Sequence, residues 1–178
     1  QGLGVLPRLA AGGAEIYDRL LPISEARRRL LYYYFPYHKM LRALLSATKA
    51  RFGFVVLMDF HSMPSRSVGE GSSVADSVVL GDAFGTSALS DVADEAAVIF
   101  SDLGYRVLRN KPYSGGFITQ HYGRPGEGIS VLQIEISRAA YMDEQTLKSR
   151  RSFDRVKADI ALFISAFADR LKLAQAAE

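Results

Sequence analysis

The chain contains no cysteine. That excludes disulfides, thiolate zinc sites and cysteine nucleophiles, and nothing demands an oxidising compartment. There is no apolar run of membrane-spanning length, and the first residues, starting at Gln1 without an initiator Met, show no signal-peptide pattern. No membrane partner is expected, and the expected compartment is the cytoplasm. Basic residues are scattered: Arg27-Arg28-Arg29, Arg42, Lys49, Arg51, then Lys148 to Arg151, for a net charge of only +3. A nucleic-acid surface would need a denser stripe with interleaved aromatics, so no nucleic acid is expected either. Histidine is scarce, three residues in all, and no His-x-x-Glu or His-x-x-x-His pair makes a local zinc motif. No Gly-x-Ser-x-Gly elbow turns Ser62, beside His61, into a triad nucleophile. The Gly115-Gly116 pair lacks the spacing of a phosphate cradle and the Lys-Ser/Thr that would follow one.

What is present is enough for one core. With 178 residues, 48% of them apolar, a single α/β domain over residues 1–178 is expected. Residues 1–22, rich in Gly and Pro, read as an irregular lead-in arm. Ser24 is placed to cap a helix carrying Leu30, Tyr34, Tyr37, Leu41, Leu44 and Thr48 at helical spacing, and Pro36 should kink or break it near Phe35. His38 on that stripe reads as a packed core histidine. The run from Phe54 to Asp59 reads as a strand buried on both faces. The Ser/Gly-rich stretch from Ser62 to Val79 is long enough to be a mobile or functional loop, with Val78-Val79-Leu80 as a short strand at its end. A helix from Ser87 or Ala88 to Leu103, stopped by Gly104, then leads to a strand over Tyr105–Arg109, giving a β-loop-α-β unit. A second loop spans residues 110–125. A strand follows over Ile129–Ile136, and a helix over 152–173 buries Val156, Ile160, Phe163, Ile164, Phe167 and Leu171.

Two strand ends carry chemistry. Asp59 and His61 are two residues apart and share one side of their strand if it continues extended, at the end where open α/β sheets place ligands. A solvated strand-end histidine satisfies the same pattern. Glu135 alternates with Leu132, Ile134 and Ile136, so it either faces water on an edge strand or lines a cavity holding a cation. Arg138 and the stretch Tyr141–Glu144 follow. The second loop mixes Asn110, His121 and Arg124 with flexible glycines, which suits a small anionic ligand or an ordinary surface loop. Together these residues suit metal-assisted hydrolysis, with a carboxylate as general base.

Several stretches, in order, resemble the N-formylglutamate amidohydrolase family. They are Tyr33-x-x-Pro36-Tyr37-His38, Asp59-Phe60-His61-Ser62-Met63-Pro64, Leu80-Gly81-Asp82-x-Phe84-Gly85-Thr86-Ser87, Asn110-x-Pro112-Tyr113-x-Gly115-Gly116, His121–Pro125 and Gln133–Glu144. The resemblance implies a three-layer α/β sandwich with a mostly parallel or mixed sheet, of the zinc-carboxypeptidase-like kind. It implies an enzyme that cleaves N-formyl-L-glutamate to L-glutamate and formate, a step of histidine breakdown; a related zinc hydrolase acting on another N-acyl amino acid is an alternative. By position, His61 matches the family's metal ligand and Glu135 its general base. Asn110, His121, Arg124 and Arg138 fall in motifs expected to bind substrate carboxylates. The family's remaining zinc ligands match nothing in this sequence; they are expected upstream of Gln1, so the fold is expected to be N-terminally incomplete. On that footing, the alternative is a non-catalytic homologue that binds a small carboxylate. Oligomeric state has no signature in the sequence.

Overall fold

The computed structural model describes residues 4–10, 13–69 and 75–175, without the side chains of 172–175. The chain divides into two units, Gln1–Arg51 and Phe52–Glu178.

In the first unit the arm is irregular apart from a bridge between Leu9 and Glu15. Helix α1 (Ile23–Arg29) starts on an extended Pro22, so the expected Ser24 cap is one residue inside the helix. Proline suits that boundary, because its fixed φ presets the helix and a first-turn amide has no partner to lose. The arginine run follows: Glu25 accepts from Arg28 at 2.7 Å and from Arg29 at 2.8 Å, and Arg29 reaches the Tyr17 hydroxyl at 2.9 Å. The break expected at Pro36 takes the form of a π-turn over Leu30–Tyr34, after which α2 (Phe35–Phe52) resumes. A proline has no amide and its ring crowds the carbonyl four residues back, so a wider turn just before it relieves both problems. His38 and Leu45 are buried on α2, whereas Tyr37 and Leu44, one position around the helix, are exposed. His38 packs within 4.3 Å of Tyr34 and 5.1 Å of Tyr37, ring to ring.

The second unit is a four-stranded mixed sheet in the order β1-β4-β2-β3, from β1 (Val55–Met63), β2 (Ser77–Gly81), β3 (Arg106–Arg109) and β4 (Ile129–Ser137). β1 runs parallel to β4, β2 parallel to β3, and β2 antiparallel to β4. The expectation for β1 is corrected here. Among the described residues β1 has one neighbour and its middle is half-exposed, while β4, paired on both sides, is buried from Ser130 to Ser137. Helix α3 (Ser90–Asp102) and helix α5 (Phe153–Gln175) cover one face. There Val78, Leu80, Leu132, Ile134 and Ile136 meet Phe100, Phe163 and Phe167, with the Phe100 and Phe163 rings stacked at 4.1 Å. Each such side chain contributes about 2 kcal/mol by leaving water. Ile164, expected inside, is exposed on α5. Gly104, at φ +86°, ends α3 as expected. Of the loop expected to be mobile, Ser62 and Met63 belong to β1, Ser65–Val68 form a 3-10 turn, and residues 70–74 lie outside the described residues. The 110–125 stretch holds a helix that the sequence pattern does not announce, α4 (Phe117–Tyr122). Among the described residues no helix is long and apolar enough to cross a membrane.

Two local devices fix the sheet. At the start of β1 the Val55 amide donates to Gly128 O at 2.9 Å, and Gly128 takes φ +75°, open to glycine at little cost. At the ends of β2 and β3, Asp82 is almost wholly buried and accepts from Arg109 at 2.6 Å, Asn110 at 2.7 Å and the Gly85 amide at 2.9 Å. Asn110 in turn accepts from the Asp82 and Phe84 amides at 3.1 and 3.2 Å. This knot holds Ala83 and Phe84 at φ +52° and +56°, which costs about 1 kcal/mol or more at each residue. Burial pushes the Asp82 carboxyl up, but the bonds from Asn110, Arg109 and Gly85 outweigh it and hold the group below its ordinary value of 3.8.

Asp82→Ala should therefore destabilise the protein by about 2 kcal/mol in urea unfolding at pH 7, because it leaves Asn110 without its carboxylate acceptor and Arg109 with only the exposed Asp94. A carboxyl with a lowered folded pKa stabilises fully above its unfolded value, here 3.8, and loses that contribution as the pH falls through the folded value. The difference between wild type and variant should shrink only below that pH. A variant indistinguishable from wild type at pH 7 would remove this knot from the account of stability.

Candidate active site

The parallel register of β1 and β4 sets His61 opposite Glu135 and Asp59 opposite Gln133. Side chains alternate along a strand, so all four project from one face, the one away from the phenylalanine core. The extended geometry of β1 continues through His61 to Met63, which is the condition for Asp59 and His61 to meet. They do: His61 Nε2 lies 3.0 Å from Asp59 Oδ1. The imidazole is half-exposed and its Nδ1 remains for another partner.

Of the two readings of Glu135, the structure takes the buried one. Glu135 is 7% exposed in the middle of the sheet, against an edge position that would have solvated it. Its Oε1 accepts from Gln133 Nε2 at 3.0 Å. Its Oε2 is buried without a hydrogen-bond partner among the described residues. Burial is the main force on this carboxyl and pushes it above its ordinary value of 4.5; Asp59 pushes the same way, while His61, Arg138 and the Gln133 bond pull it back. A carboxylate with one oxygen tied and one free, kept from full hydration, is suited to take a proton from water.

Arg138 lies at the same end of the sheet, on the Ser62 side of β1. It sits just past β4 and donates to the Ser62 hydroxyl and the Ser62 carbonyl, both at 3.3 Å. Beside it, Glu144 accepts from the Ser65 amide at 3.0 Å and from the Ser65 hydroxyl. The segments leaving β1 and β4 are thus stapled together at the end of the strands that carries His61 and Glu135.

Asn110 is committed to the Asp82 knot. His121 is exposed near the end of α4, stacked on Phe117 at 4.7 Å. The Arg124 backbone pairs with Ile129, at the opposite end of β4 from Glu135, and six residues of strand span about 20 Å. Its guanidinium turns back to the Gln120 and Gly123 carbonyls at the end of α4. The sequence reading gives Gln133 no part in the site; its signal is a second polar side chain two residues from Glu135, on the same side of the strand.

As for a metal, a catalytic zinc takes three protein ligands. Among the described residues no group of three His, Asp or Glu side chains is disposed to hold an ion, and one nitrogen of His61 faces Asp59. The described residues of this chain do not by themselves form a zinc centre.

Residues 1–142 match the sequence model of the N-formylglutamate amidohydrolase family. The N-formylglutamate deformylase of Pseudomonas aeruginosa is 32% identical over 145 residues, which cover 80% of this chain and 54% of that protein. The N-formylglutamate deformylase of Pseudomonas putida is 31% identical over 144 residues, covering 79% and 54%. The crystal structure of N-formylglutamate amidohydrolase from Ralstonia eutropha JMP134 superposes with a TM-score of 0.86 at 33% identity, over 97% of this chain and 63% of that one. The chain therefore spans about half the length of the curated relatives it matches. With the family's sequence match over most of the chain and the shared fold, this chain belongs to the N-formylglutamate amidohydrolase family.

Proposed function

We propose that this chain hydrolyses N-formyl-L-glutamate to L-glutamate and formate, a cytoplasmic step of histidine breakdown. The observation that carries this reading is the buried Glu135, with one free oxygen and in register with His61, in a family whose matched relatives are named for that substrate. Glu135 Oε2 accepts a proton as water adds to the formyl carbon. The same carboxyl then delivers that proton to the amide nitrogen as the carbon–nitrogen bond breaks, leaving formate and the free amine. Arg138, at the mouth of the same strand end, is the cation positioned to pair with a substrate carboxylate. Its guanidinium is held on Ser62 at 3.3 Å, so it is oriented before substrate arrives. Zinc is the metal the family resemblance implies, with His61 as its ligand in this chain. The remaining ligands are not among the described residues, so the steps above are assigned to Glu135 and Arg138.

Four outcomes test this reading. Formate should appear when the chain is given N-formyl-L-glutamate, and Glu135→Gln should cut kcat by about a thousandfold; a silent wild-type chain, or an active variant, defeats the proposal. The same substitution should stabilise the fold. A carboxyl whose folded pKa is raised gives its full contribution below the unfolded value, here 4.5, and loses it as the pH rises through the folded value. Glu135→Gln should accordingly gain about 1 kcal/mol over wild type at pH 7 and nothing near pH 4, read from urea midpoints. Arg138→Ala should raise KM about tenfold or more with a smaller effect on kcat. Metal analysis after dialysis should find zinc well below one equivalent per chain; stoichiometric zinc would show that side chains beyond His61 complete a site.

A further inference from the structure

We infer that Gln133 is a positioning residue for the hydrolysis proposed above: it joins the Gly115-Gly116 loop to Glu135 and determines which carboxylate oxygen is left free. The inference rests on that proposed role of Glu135. Gln133 is 5% exposed, at a β4 position where an apolar side chain would be cheaper to bury. Its Oε1 accepts from the Gly116 amide at 2.7 Å. A backbone N–H can only donate, so that bond fixes the side-chain amide with its oxygen toward Gly116 and its nitrogen toward Glu135. The nitrogen meets Glu135 Oε1 at 3.0 Å. Oε1 is thereby occupied and Oε2 is not. Rotated half a turn, the same amide would set its oxygen against the carboxylate and repel it.

The loop is shaped for this contact. A Cβ on Gly116 would stand 3.3 Å from Gln133 Oε1, close enough to press on it. Gly115 holds φ +127°, and a Cβ there would meet Thr119 Cγ2 at 2.7 Å. On the strand beneath, a Cβ on Gly81 would strike the Ser114 carbonyl carbon at 2.7 Å. Gly81 thus lets Ser114 lie on β2 and Gly116 lets the loop meet Gln133 of β4, while Gly115 packs on Thr119 of α4. The Ser114 carbonyl is anchored by the Ala83 amide at 2.7 Å. The loop, the amide and the carboxylate form one chain of hydrogen bonds, in which each bond polarises the next.

A Gln133 that served only to satisfy the Gly116 amide would affect folding but not Glu135. Gln133→Met keeps the length and removes the amide. It should lower kcat about 10- to 100-fold with KM nearly unchanged. Placed on Glu135→Gln, it should cost nothing further, since the group it orients is gone; equal losses in both backgrounds would overturn the inference. Gly116→Ala, which displaces Gln133 by a few tenths of an ångström, should lower kcat severalfold in the same pattern if Gln133→Met fails to fold. An amide NMR experiment needs no turnover. Glu135→Gln should move the Gly116 N–H resonance in the wild-type background and leave it in place in Gln133→Met. A Gly116 amide that ignores Glu135→Gln sinks the relay whatever the kinetics show. Absence of formate release from the wild-type chain would remove the proposed hydrolysis, and the amide measurement would then decide on the relay by itself.

Discussion

The pairing of β4 with a parallel β1 on one side and an antiparallel β2 on the other is the constraint on which the second unit depends. A strand with neighbours on both sides, helices on one face and the Gly116 loop against the other has every position committed. Leu132, Ile134 and Ile136 go to the core under α3 and α5, and Gln133 and Glu135 are obliged to take the opposite face. The chemistry is carried by residues that alternate one for one with the hydrophobic core. Neither set can be shifted without the other, because a one-residue slip exchanges the faces.

This arrangement settles how a buried carboxylate is tolerated. An ionised Glu at 7% exposure is costly, and the gains lie a residue away on the other face. Phe100, Phe163 and Phe167 seal that face with ring contacts of 4.1 and 5.7 Å. The cost is lowered locally by His61, then by the positive field of Arg138 and by one neutral donor, Gln133, rather than by a direct ion pair. A direct Arg–Glu pair would lower the energy further and would also occupy the oxygen that the proposed chemistry uses. The knot around Asp82 shows the contrast. There three donors converge on a buried carboxylate that holds a turn.

Much of this is legible in the sequence, for identifiable reasons. The alternation through Leu132–Ile136 and the Gly104 stop are local signals, and the strand, helix and faces they predict are the ones observed. Which of two similar apolar runs lies centrally in a sheet depends on how many neighbours each acquires, which no local pattern encodes; the burial expected of β1 fails on that account. Helix α4 spans six residues, too few for a helical period to register. Motif membership grouped Asn110, His121 and Arg124, but a motif records order along the chain and not where on the sheet a residue falls. Asn110 offers a physical hint of its role, since asparagine is among the few residues that accept a left-handed backbone, here φ +60°.

The turn at Gly128 sets the alignment of a site that depends on strand register. Gly128 holds the first residue of β1 through its carbonyl, and a Cβ on it would press on Gly53 O at 3.1 Å. It lies seven strand positions from Glu135, about 23 Å by strand rise. The meeting of His61 and Glu135 is thus calibrated at the far end of the sheet, as the jaws of a caliper are set by the position of the slide. A substitution there touches neither residue, yet it determines whether they face each other at all.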